Sequence, residues 1–433
     1  MRTFFRQTFV LFLASVAGFI SLPTPAAETI AIVSGRIIDG RNARPLDETV
    51  IVVQGKKIAA IGDRKIIPSG AQIVDLGPST LLPGMIDGHV HPLMHADDYQ
   101  NAHITSSSAY KALKALKAVQ NLLGAGWTTL RVLGDGDVYY GQFDLRKVIN
   151  EGVFIGPRIT GAGHYLSIIG GGGDVNFTSP EQKIIPDGLI VNGSDEVRRA
   201  VREEVKYGSD WIKLLVTGAF QSVGDNPQDV HFSPEELQTA VDEATRLGVP
   251  VAAHAHAADG IKQAVRAGVR SIEHGTFIDD EAIRLMVKHG TFFVPTVYIG
   301  DYYSGENNTL LASEKQDDYV KNYRQHFLEM IGEAHEAGVK IAVGVDFGGY
   351  HYDPTISARE FAVLVEAGMT PMEAIQAGTR VGAEMLRWDD RLGTLETGKL
   401  ADIIAVAGDP LSDISELERV TFVMIGGKVF KQP

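Results

Sequence analysis

Residues Leu81 to Pro92 read LLPGMIDGHVHP. An apolar run of strand length ends on two histidines separated by one residue, and side chains alternate across a strand with a period of two. His89 and His91 therefore share a face and can reach a single ion. Asp87 and Pro92 flank them in DGHVHP, and with Gly84 and Gly88 the motif is fairly specific. Lys213, His254, His274 and Asp346 each stand at or just past the end of a similar apolar run. A (β/α)8 barrel places its reactive groups at the carboxyl ends of its strands. Histidine, carboxylate and a chemically altered lysine are nitrogen and oxygen ligands suited to zinc or a similar divalent metal. A scatter of structural residues is the weaker account of that shared position.

Outward from this stretch, eight apolar runs read as strands: STLLPGMIDGH, TTLRVLG, PRITGAG, DWIKLLVTG, VPVAAHAH, RSIEHGT, TFFVPTV and VKIAVGVDFG. Amphipathic helical segments alternate with them, the pattern of βα units around a parallel sheet. Ser233-Pro234-Glu235-Glu236 and Thr370-Pro371-Met372-Glu373 each supply a cap, a first-turn proline and acid at the positive end of a helix. Gly248 and Gly338 stop helices just before the next strand. The ends of the chain differ. Thr29 to Val74 holds short Val/Ile-rich strands with turns at Gly40, Gly55 and Gly62, and GTLETGKLADIIAVAGDP and VTFVMIGGKVFK close the chain in the same style. The expected architecture is α/β: a (β/α)8 TIM barrel over residues 78–394, beside a small β-sandwich built from residues 28–77 and 395–433.

Composition narrows the function. With 54 acidic against 40 basic residues the net charge is −14, which argues against nucleic acid as a partner. There is no cysteine, so disulfides and thiolate metal sites are excluded. Arg2 and Arg6 precede an apolar stretch from Phe9 to Leu22, followed by Pro23, Pro25, Ala26 and Ala27. That order describes a signal peptide over residues 1–27, and its apolar core is shorter than the roughly 20 residues of a membrane span. The expectation is an exported protein, periplasmic or secreted, with no stable membrane anchor once the peptide is cleaved.

Lys213 lies inside an otherwise apolar strand. A buried lysine is costly unless paired or altered, burial lowers its pKa, and a neutral amine can add carbon dioxide to become a carbamate. That anion could bridge two metals; the plainer alternative is a lysine that snorkels or pairs with a carboxylate. His254 and His256 share a face, so periodicity does not choose between them. His254 is favoured as the ligand, with His256 nearer the substrate. Asp346 ends the last strand, where it can ligate a metal and exchange a proton. His164 in GAGHYLS and Tyr298 in VPTVYIG are candidate substrate-binding residues, and His231 is a more distant one. His289, His326 and His335 fall on helical patterns and read as surface residues, while His95, His103 and His351 read as loop residues. The Gly171–Gly173 run lacks the strand–GxxxxGK[ST]–helix context of a phosphate loop.

Taken together, LLPGMIDGHVHP, the lysine strand, HAH, SIEHG, VGVDFG and the GKLADIIAVAGDPL tail resemble the amidohydrolase superfamily over nearly the whole chain. Within it they are most similar to the branch of imidazolonepropionase-like enzymes, Xaa-Pro or carboxy-terminal dipeptidases and ochratoxin amidases. The resemblance implies two divalent metal ions, zinc being expected, bridged by carboxylated Lys213. His89, His91 and Asp346 would hold the more buried ion, and His254 and His274 the outer one. It also implies a metal-bridging hydroxide as nucleophile, with Asp346 as general base and then acid. Related peptidases often carry a GGHG-like stretch after strand three; here that place reads SIIGGGGDVNF, Ser167 to Phe177. His164 or backbone amides of the glycine run would then have to stabilise the substrate carbonyl.

The function implied is hydrolysis of an amide bond in a small molecule or dipeptide, of peptide or N-acyl amino acid type, with homo-oligomers common among relatives. The alternatives are a cyclic amide or lactone hydrolase or a deaminase, and a catalytically dead barrel that only binds. Deaminases of the superfamily usually lack the bridging lysine, so Lys213 weighs against that one.

Overall fold

The computed structural model describes residues 28–94, 99–304, 313–348 and 353–433. The expected signal peptide, residues 1–27, and two of the histidines noted above, His95 and His351, lie outside the described residues.

Two sheets come from the chain ends. One contains Thr29–Val33, Val50–Gln54, Lys57–Gly62 and Gln72–Asp75; the other contains Arg36–Ile37, Thr80–Pro83, Ile403–Val406, Val420–Ile425 and Lys428–Lys431. They share an apolar cluster in which Ile32, Ile51 and Val53 of the first sheet meet Leu81, Ile403, Phe422 and Met424 of the second. The last hairpin turns through Gly426 and Gly427, with φ of 53° and 76°. A two-residue turn between right-twisted strands needs left-handed backbone at both positions, which glycine supplies without strain.

The first expected strand is two strands in the structure. Thr80–Pro83 pairs antiparallel with Ile403–Val406 and so belongs to the sheet of the chain ends, which extends past residue 77. Met85–Val90 then starts the parallel layer. Gly84 is the joint: a Cβ there would lie 2.1 Å from Thr128 Oγ1, so no side chain fits. A continuous apolar run does not reveal that its halves pair with different sheets.

Parallel strands form the rest. Met85–Val90, Trp127–Leu133 and Arg158–Ala162 make one sheet. Leu189–Ile190, Tyr165–Ser167, Ile212–Leu215, Val251–Ala255, Ser271–His274 and Phe292–Val294 make another, in that order. Most of these strands are buried along their whole length, as parallel strands are when helices cover them. Tyr165–Ser167 and Leu189–Ile190 were not anticipated, because they are too short to show a period. The last expected strand, Val339 to Gly348, is held by isolated bridges, Phe293 to Ile341 and His91 to Gly348. Asp346 N–H also donates to the His89 carbonyl at 2.7 Å. Helices Pro234–Arg246 and Pro371–Gln376 both begin with complete capping boxes, Ser233 with Glu236 and Thr370 with Glu373. Among the described residues no helix is long and apolar enough to cross a membrane.

Candidate active site

The carboxyl ends of the parallel strands bring the expected ligands together. His89 and His91 point Nε2 at Asp346 Oδ1, at 3.3 and 3.0 Å. Lys213 Nζ lies 3.3 Å from His89 Nε2. The His254 and His274 rings sit 4.4 Å apart, and His274 Nδ1 is 3.9 Å from Asp346 Oδ2. Ligand atoms of His89, His274 and Asp346 all lie within 4.8 Å of one another. His256 stacks on His274 at 5.1 Å and holds Thr276 Oγ1 at 2.9 Å through Nδ1. His254 Nε2 lies 3.1 Å from the Gly218 carbonyl.

The tautomers are set from behind. His89 Nδ1 meets Glu273 Oε2 at 3.0 Å and His91 Nδ1 meets the Gly134 carbonyl at 2.5 Å, which leaves both Nε2 lone pairs toward Asp346. Burial, reinforced by neighbouring positive charge, holds His89, His254 and His274 well below the ordinary imidazole pKa and pushes His256 down to about 3. Burial also pushes the Lys213 amine down to about 8, aided by Arg131 and opposed by Glu273 and Asp346. Neutral imidazoles, a carboxylate and an amine that can lose its proton are the donors a divalent cation requires. The residues fit such an ion.

Backbone strain concentrates in the same place. His274, Thr296 and Asp346 have φ of 71°, 50° and 63°, a left-handed conformation uncommon for residues with a Cβ and most costly for β-branched threonine. Thr296 Oγ1 lies 2.7 Å from His274 Nδ1. Three strained residues therefore aim two of the expected ligands and the hydroxyl that orients one of them.

Sequence reasoning missed the ion pair beneath the expected ligands. Arg131, fully buried in the strand Trp127–Leu133, donates Nη2 to both oxygens of Glu273 at 2.9 and 3.0 Å, Nη1 to Ser271 at 2.9 Å and Nε to the Gly88 carbonyl at 2.5 Å. Asp87 Oδ1 accepts the amides of His89 and Val345 at 3.0 and 3.1 Å. The available signal was a charged residue inside an apolar run, TTLRVLG, the feature that singled out Lys213.

Two expected substrate contacts lie elsewhere. His164 is buried away from the cavity, with Nδ1 2.9 Å from Glu204 Oε1 and its amide on Glu204 Oε2 at 3.1 Å. It is committed to that carboxylate and unavailable to a substrate carbonyl. Tyr298 turns its hydroxyl to Arg359 Nη1 at 2.8 Å, and Ile299 and Tyr303 of the same segment line the cavity instead. Tyr298→Phe should accordingly leave kcat/KM within about twofold, and a rise in KM of about tenfold would return this residue to the substrate. Of the glycine run, Gly172 reaches the cavity wall. His231 does not, and its Nδ1 is buried without a partner among the described residues. His103 is helical rather than in a loop, within Tyr99–Thr105, and bonds the Ile185 carbonyl.

Known proteins share this arrangement of chain. Residues 80–430 match the amidohydrolase family. The ochratoxinase of Aspergillus niger is 34% identical over 449 residues, covering 95% of this chain and 88% of that protein. The imidazolonepropionase of Pseudomonas fluorescens is 25% identical over 408 residues, covering 86% of this chain and 90% of that one. Among solved structures, a Xaa-Pro dipeptidase with methionine bound in its active site has a TM-score of 0.85 at 36% identity, covering 93% of this chain and 100% of that one. These are the branches to which the sequence motifs point. The chain belongs to the amidohydrolase family, as a hydrolase acting on amide bonds.

Proposed function

We propose that the protein is a binuclear metal-dependent hydrolase that cleaves peptide or N-acyl amino acid bonds. The observation that carries this reading is Lys213: a fully buried amine, held near pKa 8, 3.3 Å from a histidine ligand atom inside a ring of neutral imidazoles. A neutral amine adds carbon dioxide with loss of one proton, and the resulting carbamate is an anion placed among the histidines. His89, His91 and Asp346 would hold one ion and His254 and His274 the other, with Lys213 reaching both. Zinc suits this nitrogen and oxygen donor set. Such ions, when bound, lower the pKa of water and polarise a carbonyl oxygen.

The remaining work falls to the chain. Asp346 is the one carboxylate lining the cavity among the described residues, so it is the group placed to take a proton from the attacking water and pass it to the leaving nitrogen. Glu273 and the Gly134 carbonyl keep His89 and His91 in the tautomer that presents Nε2. This reading includes a closed (β/α)8 barrel, supported by the bridges Phe293–Ile341 and His91–Gly348, and a sandwich of the two end-derived sheets beside it. It also has the chain exported through residues 1–27, with a homo-oligomer as its expected assembly.

Metal content per chain, measured alongside hydrolysis of a panel of dipeptides and N-acyl amino acids, tests the proposal. About two ions with turnover of part of the panel are expected; one ion per chain, or two without amide turnover, would reject it. Reloading should depend on pH. After chelation, return of zinc at a fixed partial pressure of carbon dioxide should restore activity roughly twentyfold faster near pH 8.5 than near pH 6.5, because dissolved carbon dioxide is then constant while an amine titrating at about 8 is mostly protonated at the lower value and mostly neutral at the higher. Reloading rates independent of pH over that interval would separate Lys213 from assembly of the site.

A further inference from the structure

After the strand Ile212–Leu215 the chain loops out and returns at Val230, which bridges Thr217. Ala219, Phe220, Gln221 and Ser222 of this loop line the cavity. Ala219, Ser222 and Asp225, three residues apart, turn their carbonyl oxygens to one point, and Lys315 Nζ occupies it. The ammonium lies 2.7 Å from the Ala219 carbonyl, 3.0 Å from that of Asp225 and 3.2 Å from Asp225 Oδ1, and it also donates to the Ser222 carbonyl. No other hydrogen bond among the described residues reaches those three carbonyls. The Asp225 side chain is 1% exposed and knits the loop from within: Oδ2 accepts the Ala219 amide at 3.1 Å and Oδ1 the Ser222 hydroxyl at 2.6 Å. Lys315 comes from the helix Ser313–Asn322, whose Gln316 and Tyr319 line the same cavity.

Carbonyl and carboxylate oxygens converging on one point are the ligands of a hard cation, and rings of carbonyls hold a monovalent ion by replacing its water. An ammonium carries the charge of such an ion and brings three donors to these four acceptors. Without a cation the loop would leave three carbonyls unpaired and a buried carboxylate without its countercharge. We propose that Lys315 is a positioning residue that serves as a built-in monovalent cation: its ammonium fills an oxygen cage in the loop and so fixes Ala219 to Ser222 against the helix that supplies Gln316 and Tyr319. Truncating the side chain leaves a cage that a potassium ion can enter. This role holds whatever bond the site cleaves.

The test compares the metal-replete full chain with Lys315→Ala in potassium chloride and in tetramethylammonium chloride at equal ionic strength, since tetramethylammonium is too large for the cage. In tetramethylammonium the variant should show KM raised about tenfold with kcat little changed, the mark of a displaced wall rather than of altered chemistry. Potassium should return KM to within about twofold of the parent's and raise the variant's thermal midpoint by about 3 °C or more, while leaving the parent unmoved. The same KM and midpoint in both salts would overturn the proposal, as would an equal gain in the parent. A midpoint that moves without KM would overturn the positioning role. If no amide is turned over, the amide reading falls, and the midpoints still decide the cage. If Lys315→Ala does not fold in either salt, reductive methylation of the parent decides: Lys315 should react at least about tenfold more slowly than the exposed Lys65, because an ammonium held by four oxygens is seldom the free amine. Equal rates at the two lysines would overturn the proposal.

Discussion

Lys213→Ala is expected to lower kcat/KM by on the order of a thousandfold or more and to reduce the metal content from two ions toward one. The loss should be chemical rather than structural. A buried lysine costs folding free energy, since its charged form is poorly solvated there; the depression of its pKa to about 8 reflects that cost. Removing it deletes a destabilising charge along with some packing, so the metal-free variant should fold with a thermal midpoint close to that of the metal-free parent. Lys213→Arg supplies the control for charge alone. A guanidinium stays protonated at all working pH values and cannot form the carbamate, so arginine should be as inactive as alanine despite keeping a cation in place. Metal analysis, thermal unfolding and turnover on the three proteins form one experiment. Full activity in either variant would remove the carbamate from the proposal and leave Lys213 as a structural cation.

How much of this could be read without coordinates depended on how local the cause was. HVH was legible because two residues apart on a strand means one face, and the pairing of His89 and His91 on Asp346 Oδ1 is that rule in space. The helix caps at Ser233 and Thr370 were legible for the same reason, since the bonds form within one turn. His164 misled because its partner, Glu204, is forty residues away on another element, and nothing near GAGHYLS announces a buried carboxylate that gathers the amides of Gly163 and His164. Tyr298 misled because the chain enters its short helix through Thr296 at φ 50°, which rotates the segment so that Ile299 and Tyr303, rather than Tyr298, face the cavity. Periodicity carries no information about a left-handed residue. The division of LLPGMIDGHV at Gly84 was hidden likewise, because both halves are buried and apolar and differ only in which distant strand they meet.

Replacing Arg131 should cost the fold heavily. Its guanidinium is fully buried, gives both of its Nη2 bonds to Glu273, and packs 4.5 Å over the Trp211 ring. Breaking a buried pair by removing one partner leaves the other charge without compensation, at a cost of about 3–5 kcal/mol. Arg131→Ala should therefore be strongly destabilised in denaturant unfolding, and the damage should reach the proposed metal centre by a definite route. Glu273, deprived of its cation, lowers its free energy by taking up a proton or by drawing one onto His89 Nε2. The first outcome weakens the acceptor that fixes the tautomer, and the second converts a ligand to imidazolium. Either should lower metal affinity by about 10–100-fold, the usual effect of losing a group that orients a ligand. The double variant Arg131→Met with Glu273→Gln separates the two consequences. With both charges gone the desolvation cost disappears, so stability should recover toward the parent while metal affinity stays low, because an amide holds His89 Nδ1–H less strongly than a carboxylate does. If Arg131→Ala were as stable as the parent to within about 1 kcal/mol, the pair would be partly hydrated in solution, and its role in aiming His89 would fall with it.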